Sequence, residues 1–383
     1  MKNKLLLICL LPLLALGCAA LPDLPRSPAP PPFAPLTAPG IFPLSLREAE
    51  SLARRLTPAA QNLRSWRDLD PALARSLAFA ASRPAQAPAL DQPGLRLTYG
   101  ELAGTLRRLR ALLPRLDASP GLLARDFAWY RLGPDFSATG YYEPLLRAAA
   151  APSAAYPHPQ YRRPPDLRPN VPYYTRQDID RRHVLAGRGL ELAWVESETE
   201  AFFLQIQGSG RLIFPDGSLS HVLFAGGNNR PYRSLGRILR EKGLLAPDEI
   251  SMFSLRRVLE ENPGQRAALL DQNPSYIFFR LSADGPYGSM GHPLTPWVSL
   301  ASDRGILPHG LLLFLILALP GDAGDPRPFH ALALPQDTGS AIRGHRLDLF
   351  CGSGREAESI AARLNAPAAV HILIARDRGK ISP

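Results

Sequence analysis

Two carboxylates near the end of the chain have a spacing that suits acid–base chemistry. The segment QDTGSAIRGHRLDLF, residues 336–350, contains Asp337 and, eleven positions later, Asp348. Side chains alternate between two faces of a strand, so RLDLF places Asp348 with Arg346 and Phe350, opposite its two leucines. A carboxylate beside an aromatic ring in a groove is partly desolvated, which raises its pKa and suits it to general acid catalysis. The alternative is that Asp348 only pairs with Arg346 on a solvated face.

Two other chemistries are compatible with the same residues. DTGS, residues 337–340, has the spelling of an aspartic protease loop, but that mechanism needs two such loops. DGS, residues 216–218, has the wrong order and is predicted to be a hairpin turn. A metal site would have to use scattered ligands, since the sequence has no His-x-x-x-His or Cys-x-x-Cys pair. The candidates for such ligands are His309, His330, His345, Asp303 and Asp348. We therefore predict neither a metal nor an organic cofactor.

The elements that must position these residues indicate a mainly β chain with N-terminal helices. Apolar residues recur three and four positions apart over residues 46–116, which is typical of amphipathic helices. After residue 126, short apolar runs between Gly, Pro, Asn and Asp predict strands, among them AFFLQIQGSGRLIF, residues 201–214. The run LLLFLILAL, residues 311–319, is too short for a membrane-spanning helix and is predicted to be a buried strand.

The N-terminus predicts export and a lipid anchor. Two lysines precede an apolar run over residues 5–16 that ends at Gly17-Cys18, so residues 1–18 are predicted to be a signal. The sequence before Cys18 resembles the lipobox of bacterial lipoproteins, and Ala19 follows where an inner-membrane retention signal favours Asp. We therefore predict a chain that is lipidated at Cys18 on the periplasmic face of the outer membrane of a Gram-negative bacterium. An ordinary cleaved signal is the alternative.

Composition predicts a spacer near the N-terminus, an anionic partner and no disulfide. Residues 19–43 hold nine prolines and predict a semi-rigid spacer. Lys and Arg number 44 against 34 Asp and Glu, a formal net charge of +10. In an exported protein, a basic surface favours the cell-wall polymer or anionic lipid over nucleic acid. Apart from one cysteine in the signal and Cys18, only Cys351 remains, so no intrachain disulfide is expected in the mature chain, and Cys351 is predicted to be a packed residue.

Six motifs, in order along residues 130–375, resemble the membrane-bound lytic murein transglycosylases of the A family. The motifs are TGYYEP (139–144), FFLQIQGSGRL (202–212), NNRPYRSLGRIL (228–239), NPSYIFFR (273–280), ASDRGILPHG (301–310) and QDTGSAIRGHRLDLF (336–350). This resemblance implies a double-psi β-barrel domain formed by residues 44–144 and 276–383, with a helical N-terminal part. It also implies a second β-barrel domain, residues 145–275, inserted into the first, with the glycan strand bound in the cleft between them.

The resemblance also assigns roles to individual residues. Asp348 matches the catalytic acid of the family, Asp337 matches a supporting carboxylate, and Asp303 matches a further aspartate near the groove. Candidate substrate-binding residues are Thr139, Tyr141, Tyr142, Gln207, Ser209, Asp303 and Gly339. The two tyrosines would stack on sugar faces, and the smaller polar side chains would hydrogen-bond sugar hydroxyl and acetamido groups. Gly339 would leave room for a tight turn or a close ligand.

The implied reaction needs one strong carboxylate. A hydrolytic glycosidase uses two, whereas a lytic transglycosylase lets the C6 hydroxyl of N-acetylmuramic acid attack C1, which gives a 1,6-anhydro product. Expected partners are peptidoglycan glycan strands, outer-membrane lipid through Cys18, and proteins of cell-wall synthesis or division. A different class remains open, a peptidoglycan-binding or scaffolding lipoprotein that does not cut.

Overall fold

Two large β-sheets, a two-stranded hairpin and the helices packed around them make up the described part of the protein. The structure, a computed structural model, describes residues 31–246, 250–321, 325–339 and 341–376. The predicted signal and the lipidation site Cys18 lie outside these residues. Within the described part, no helix is long and apolar enough to cross a membrane.

Six strands of the first sheet close into a barrel because its last strand pairs back onto its first. Around the barrel they are β4 (Phe127–Glu143), β14 (Arg346–Ser353), β11 (Ser299–Ser302), β13 (Arg327–Asp337), β12 (Leu313–Leu319) and β15 (Asn365–Ala375). The pairs β14–β4 and β11–β13 are parallel, and the other pairs are antiparallel. Strand β12 is buried along nearly its whole length, which confirms the buried strand predicted for LLLFLILAL.

The N-terminal helices cover one side of this barrel. They are α1 (Leu46–Ala53), α2 (Asp70–Ala81), α3 (Tyr99–Leu116) and α4 (Leu122–Asp126), with a hairpin of β2 (Pro88–Gln92) and β3 (Leu95–Thr98) between α2 and α3. Thr98 and Glu101 form a capping box that begins α3, and its apolar residues join the barrel core. A further helix, α10 (Arg355–Arg363), precedes β15.

The second sheet belongs to the inserted domain. Its strands, in spatial order, are β10 (Ile277–Ser282), β9 (Leu219–Gly227), β8 (Ser209–Ile213), β5 (Leu145–Ala149), β7 (Glu191–Val195) and β6 (His158–Tyr161). A bridge between Arg162 and Phe279 brings the two edges of the sheet together. The helices of this domain are α5 (Arg176–Asp180), α6 (Glu198–Gln207), α7 (Leu235–Glu241), α8 (Met252–Glu261) and α9 (Pro263–Leu270). The predicted architecture, a β-barrel carrying an inserted β-domain, is thereby confirmed.

The prediction of a strand over residues 201–207 is wrong, because this segment lies in helix α6. Ser197 accepts a hydrogen bond from the N–H of Glu200, and Glu198 and Glu200 place negative charge in the first turn. Gly208, at φ +78°, ends the helix in the left-handed conformation that glycine favours. The strand prediction is correct only from Ser209 onward, in β8.

Residues 31–43 are not a free spacer. The strand β1 (Gly40–Pro43) pairs antiparallel with β4, and Leu36 donates its N–H to Asp135 Oδ2 at 2.8 Å. Arg131 donates to the carbonyl of Ala34 at 2.8 Å. Prolines remove donors but leave every carbonyl free to accept, so a proline-rich segment can still dock at a sheet edge.

Candidate active site

Strand register aligns the predicted catalytic residues on one face of the barrel sheet. Thr139 on β4 pairs with Asp348 on β14, Asp348 pairs with Ala301 on β11, and Ala301 pairs with Asp337 on β13. Directly paired residues point to the same face of a sheet. The two aspartates are two strands apart, which is about 10 Å between their Cα atoms at ~4.8 Å per strand.

Asp348 is a partly buried carboxylate with one hydrogen-bond donor. Burial raises its pKa to about 6, and the negative charge of Asp337 acts in the same direction. Thr139 opposes that shift by donating from Oγ1 to Asp348 Oδ1 at 2.8 Å. Arg346 lowers the pKa of Asp348 only through its charge, and the two form no ion pair in the described part of the chain. The alternative in which Asp348 only pairs with Arg346 on a solvated face therefore does not describe its environment, where the hydrogen bond comes from Thr139.

Asp337 is held by three donors. Oδ1 accepts the N–H of Ser289 and the N–H of Thr338, each at 2.8 Å, and Oδ2 accepts the hydroxyl of Tyr141 at 3.0 Å. Burial raises the pKa of Asp337, while these three hydrogen bonds stabilise its ionised form. The preceding residue, Gln336, is buried and bonds α2 and β11, so the end of β13 is fixed from both sides.

Tyr141 and Tyr142 lie on opposite faces of β4 and have different environments. The ring of Tyr141 packs on Phe350 at 5.2 Å between centroids, and burial with the charges of Asp337 and Asp348 raises the pKa of its hydroxyl. Tyr141 therefore remains a hydrogen-bond donor. Tyr142 is buried, donates to Glu358 on α10 and accepts from Arg256 on α8. Its ring belongs to the core of the barrel, and the stacking of Tyr142 on a sugar stays a prediction.

Asp303 and Gly339 shape the loops beside the carboxylates. Asp303 accepts the N–H of Gly344 and of Gly305, both at 2.9 Å, and these bonds lower the pKa of the carboxyl. A Cβ at Gly339 would lie 2.7 Å from Ile342 Cγ1, so this position requires glycine-like space. Both residues line an open depression of about 430 Å³. Asp303 therefore ties two loops together at the edge of the site.

Gln207 and Ser209 come from the inserted domain. They flank Gly208 at the turn from α6 into β8, and both are partly buried. No side-chain hydrogen bond of either residue occurs within the described part of the chain. Within the described residues, no hydrogen bond, ion pair or ring contact joins either of them to Asp337 or Asp348. The substrate-binding roles predicted for Gln207 and Ser209 therefore stay predictions.

Sequence reasoning did not identify two residues, Ser289 beside Asp337 and Glu143 at the end of β4, that fix the surroundings of the site. Ser289 holds Asp337 through its backbone, and its Oγ lies 3.0 Å from His309 Nε2. Glu143, although inside the TGYYEP motif, was not singled out; it pairs with Arg211 and His221 from the inserted domain. These partners are 68 and 78 positions away along the chain, so local patterns carried no signal for the pairing.

The histidines considered as metal ligands lie in separate environments. His309 is bonded to Ser289, His330 packs near Phe314, and His345 packs on Phe136. Within the described ranges, no group of three or more His, Cys, Asp or Glu side chains is arranged to hold a metal ion. Cys351 is buried, and burial raises the pKa of its thiol, which agrees with the prediction of a packed residue.

Comparison with protein-family models gives two adjacent matches. The model described as the MltA specific insert domain matches residues 137–280, which include the second sheet except the last two residues of β10. The model described as the 3D domain matches residues 298–374, which include Asp303, Asp337 and Asp348. The carboxylates and the inserted sheet therefore lie in two separately recognised segments.

Curated proteins and solved structures extend the similarity over most of the chain. The membrane-bound lytic murein transglycosylase A of Escherichia coli K12 is 33% identical over 314 residues, 74% of this chain and 84% of that protein. The protein of the same name from Vibrio cholerae is 36% identical, but the match covers only 60% of its length. A crystal structure of a membrane-bound lytic murein transglycosylase from Agrobacterium tumefaciens has a TM-score of 0.70 at 32% identity, covering 88% of this chain and 98% of that one.

Proposed function

The chain belongs to the membrane-bound lytic murein transglycosylase A family, and on that premise we propose that it cleaves peptidoglycan without water. The bond cleaved is the β-1,4 bond between N-acetylmuramic acid and N-acetylglucosamine, and the product carries a 1,6-anhydromuramoyl end. Asp348 is the single general acid and base. The observation that carries the proposal is the burial of Asp348 beside Thr139, which raises its pKa to about 6.

The first step needs a protonated carboxyl. Asp348 gives its proton to the glycosidic oxygen as the C1–O bond breaks, and positive charge develops at C1 and the ring oxygen. A pKa near 6 leaves part of the enzyme protonated at neutral pH, whereas an ordinary Asp, with a pKa of about 3.9, would be almost wholly ionised. Asp337, which accepts three hydrogen bonds, remains the more acidic of the pair and supplies negative charge nearby.

The second step returns the proton. The C6 hydroxyl of the same muramic acid residue attacks C1, and its proton passes to the carboxylate of Asp348. A C–O bond forms, the acid is restored, and no water is consumed. The attacking group belongs to the bound sugar, so no second carboxylate is needed to activate a water molecule.

Thr139, Tyr141 and Asp337 support this acid. Thr139 orients Asp348 through Oδ1, and Oδ2 has no hydrogen-bond partner within the described residues, so it is the oxygen available to the substrate. Tyr141 fixes Asp337 rather than presenting a free hydroxyl. Gln207, Ser209 and the depression beside Asp303 and Gly339 are the proposed contacts for sugars farther along the cleft.

We place the protein on the periplasmic face of the outer membrane, anchored through Cys18. The support is the N-terminal sequence and the membrane-bound description of the relatives. Residues 44–144 with 276–383 and residues 145–275 are the proposed domains. Strand β4 ends at Glu143, just before the first boundary, whereas β10 (Ile277–Ser282) pairs with β9 in the second sheet, so we move the second boundary to the loop after Ser282.

Product analysis tests the reaction. Purified sacculi are digested in water enriched in ¹⁸O, and the muropeptides are separated and weighed. The proposal predicts 1,6-anhydro ends without ¹⁸O, because the C6 oxygen closes the ring. Reducing ends that carry ¹⁸O would identify a hydrolase. Sacculi that bind the protein but release nothing would identify a binding or scaffolding lipoprotein.

A further inference from the structure

A charged cluster lies where the chain passes from the barrel into the inserted domain. Glu143 is the last residue of β4, and its side chain is fully buried. Its Oε2 accepts from Arg211 Nε at 2.6 Å, and its Oε1 lies 2.6 Å from His221 Nδ1. The backbone N–H of Arg211 also donates to the carbonyl of Pro144 at 2.8 Å. One carboxylate of the barrel domain therefore fixes two basic side chains of the inserted sheet.

Strand periodicity puts this cluster on the catalytic face. Glu143 is two and four positions beyond Tyr141 and Thr139 on β4, so the three side chains share a face. Four residues of strand correspond to about 13 Å from Thr139 to Glu143, at ~3.3 Å per residue. On β8, Arg211 shares its face with Ser209, one of the proposed substrate contacts. Arg211 therefore lies where the face of β4 that carries Thr139 and Tyr141 meets the face of β8 that carries Ser209.

The returning connection passes the same place. Gly285, in the loop after β10, lies close to the cluster, since a Cβ added there would be 3.4 Å from His221 Nδ1 and 2.9 Å from Leu223 Cδ2. Four residues later in the same loop, the N–H of Ser289 donates to Asp337. Both chain connections between the domains therefore lie next to the cluster of Glu143, Arg211 and His221. The second connection leads to Ser289, which donates to Asp337.

The face around Arg211 carries uncompensated positive charge. Three arginines lie on one face of the sheet, because strand register pairs each of them with a residue of that face. Arg211 pairs with Leu145 and His221, Arg147 pairs with Ile213, and Arg280 pairs with Leu223. These are Arg147 on β5, Arg211 on β8 and Arg280 on β10. Within the described part of the chain, Arg147 and Arg280 form no ion pair, and Glu143 compensates only Arg211. A face of this kind favours an anion.

Arg211 itself is oriented but not saturated. Its only side-chain hydrogen bond within the described residues uses Nε, and the side chain is 33% exposed. The terminal nitrogens Nη1 and Nη2 together match the two oxygens of a carboxylate, which is the geometry that makes arginine a carboxylate receptor. Because Glu143 holds the guanidinium in place, binding costs little further conformational entropy.

We propose that Arg211 binds a carboxylate of the peptidoglycan strand and so distinguishes muramyl glycan from neutral chitin-type glycan. The inference takes its ligand from the proposed function. Murein differs from chitin by the lactyl ether on every second sugar, which ends in a free carboxylate or in a peptide that carries carboxylates. Either group would present an anion to the arginine face, whereas hydroxyl and acetamido groups are common to both polymers.

Binding to a chain that cannot turn over its ligand tests the proposal. In the Asp348→Asn background, affinities are measured by calorimetry for peptide-free murein strands, peptide-substituted strands and chitin hexasaccharide. Arg211→Gln should weaken murein binding about tenfold or more, since a hydrogen-bonded charge contributes about 1.5–3 kcal/mol, and should leave chitin binding within about twofold. A loss confined to peptide-substituted strands identifies a peptide carboxylate, a loss confined to peptide-free strands identifies the free lactyl carboxylate, and a loss with both shows that Arg211 binds either group.

Two further variants keep the result interpretable. Arg107→Gln on α3 makes the same charge change on an exposed helix face and should alter none of the affinities. Arg211→Gln leaves buried Glu143 with only His221, so Glu143→Gln combined with Arg211→Gln gives a neutral amide pair in the same place. This double variant should lose the same selectivity. Equal weakening of murein and chitin binding in the double variant, or no weakening of either, overturns the proposal. Selective murein binding without anhydro products would retain Arg211's role and reject only the reaction.

Discussion

At the residue scale, the two carboxylates differ in how many hydrogen bonds each accepts. Asp337 accepts three and Asp348 accepts one, although both are partly buried and share a face of the sheet. Hydrogen bonds to a carboxylate stabilise its charge, so Asp348 keeps its proton to higher pH. This difference supports the proposed roles, with Asp348 as the acid and Asp337 as the supporting charge.

Replacing Thr139 by Val should shift the pH profile of kcat/KM. Asp348 acts first as an acid, so activity is present below its pKa and falls as pH rises through about 6. Val removes the hydrogen bond that stabilises the carboxylate, which raises the pKa and moves the falling limb up by about one pH unit. The rate at which soluble muropeptides are released, measured from pH 4.5 to 8, determines the position of the falling limb.

Ser137→Ala is the matched control for that profile. Ser137 lies two positions before Thr139 on the same face of β4, and it makes no side-chain bond to Asp348. The falling limb of its pH profile should stay at the same pH. A falling limb that shifts equally in both variants, or that shifts to lower pH in Thr139→Val, contradicts the role assigned to Thr139.

Asp348→Asn should stabilise the fold at pH 7.5 but not at pH 4. The folded pKa of about 6 exceeds the unfolded value of about 3.9, so folding disfavours the charge. Stability is full below the unfolded pKa and is lost as pH rises through about 6. Asn carries no charge, so the variant should gain about 1–3 kcal/mol at pH 7.5. Urea unfolding at both pH values measures the difference, and an equal gain at both would indicate a cause other than ionisation.

At the element scale, strand register and one loop assemble the site. Pairing across β4, β14, β11 and β13 aligns Thr139, Asp348 and Asp337, and the loop after β10 supplies the N–H of Ser289. The loop approaches β13 closely, because a Cβ at Gly288 would lie 2.5 Å from the carbonyl oxygen of Gln336. Only a residue without a side chain lets the two backbones come this near.

Gly288→Ala should therefore lower turnover. The added methyl group collides with backbone, so the loop must move and the Ser289 N–H leaves Asp337. We expect a loss of kcat of about tenfold, comparable to the loss of a hydrogen bond to a charged group. Rates are measured on sacculi, with circular dichroism as the check on folding.

Gly104→Ala is the control for a glycine that has space. Gly104 lies within α3, and a Cβ there meets nothing within 4 Å. This substitution should leave turnover unchanged and raise helix stability by about 0.5–1 kcal/mol. Turnover of Gly288→Ala equal to that of Gly104→Ala would show that the loop does not position Asp337.

Local sequence patterns predicted most elements but not the contacts between them. Period two in RLDLF predicts β14, helical spacing predicts α3, and a short apolar run predicts β12, all correctly. The segment AFFLQIQ, residues 201–207, is apolar except for two glutamines and shows no clear helical period, so only the capping signals Ser197, Glu200 and Gly208 distinguish its helix from a strand. The interactions of Ser289, Arg211 and His221 are long-range, and no local pattern contains them.

At the scale of the whole molecule, a barrel and an inserted sheet are joined at two crossings. Arg256 on α8 contacts Tyr142 on β4 and Glu358 on α10, so a second charged contact links the inserted domain to the barrel. Residues 31–43 pack on the barrel through β1, so this part of the predicted spacer is docked. The composition predicted a spacer but could not show the docking, because docking depends on donors and acceptors in β4, about 90–100 positions away along the chain.

The proposed membrane attachment rests on one residue, Cys18, which lies outside the described part of the chain. Cys18→Ala should move the full chain from the membrane fraction to the soluble periplasmic fraction, because the acyl chains supply the stable anchoring. Turnover on purified sacculi should not change, since the barrel and the inserted sheet are intact. A Cys18→Ala chain that stays in the membrane fraction would favour another mode of attachment. Cell fractionation followed by immunoblotting measures the distribution.

The most direct test of the account is the turnover of sacculi by Asp348→Asn at the pH optimum, with anhydro muropeptides as the product measured. Asn retains the shape and can still accept the hydrogen bond from Thr139, but it cannot exchange a proton with the substrate. Because general acid–base catalysis contributes about 10²–10⁴-fold, we predict a loss of at least about a hundredfold in a chain that is folded and still binds glycan. Turnover near that of the unmodified chain would contradict Asp348 as the general acid and base.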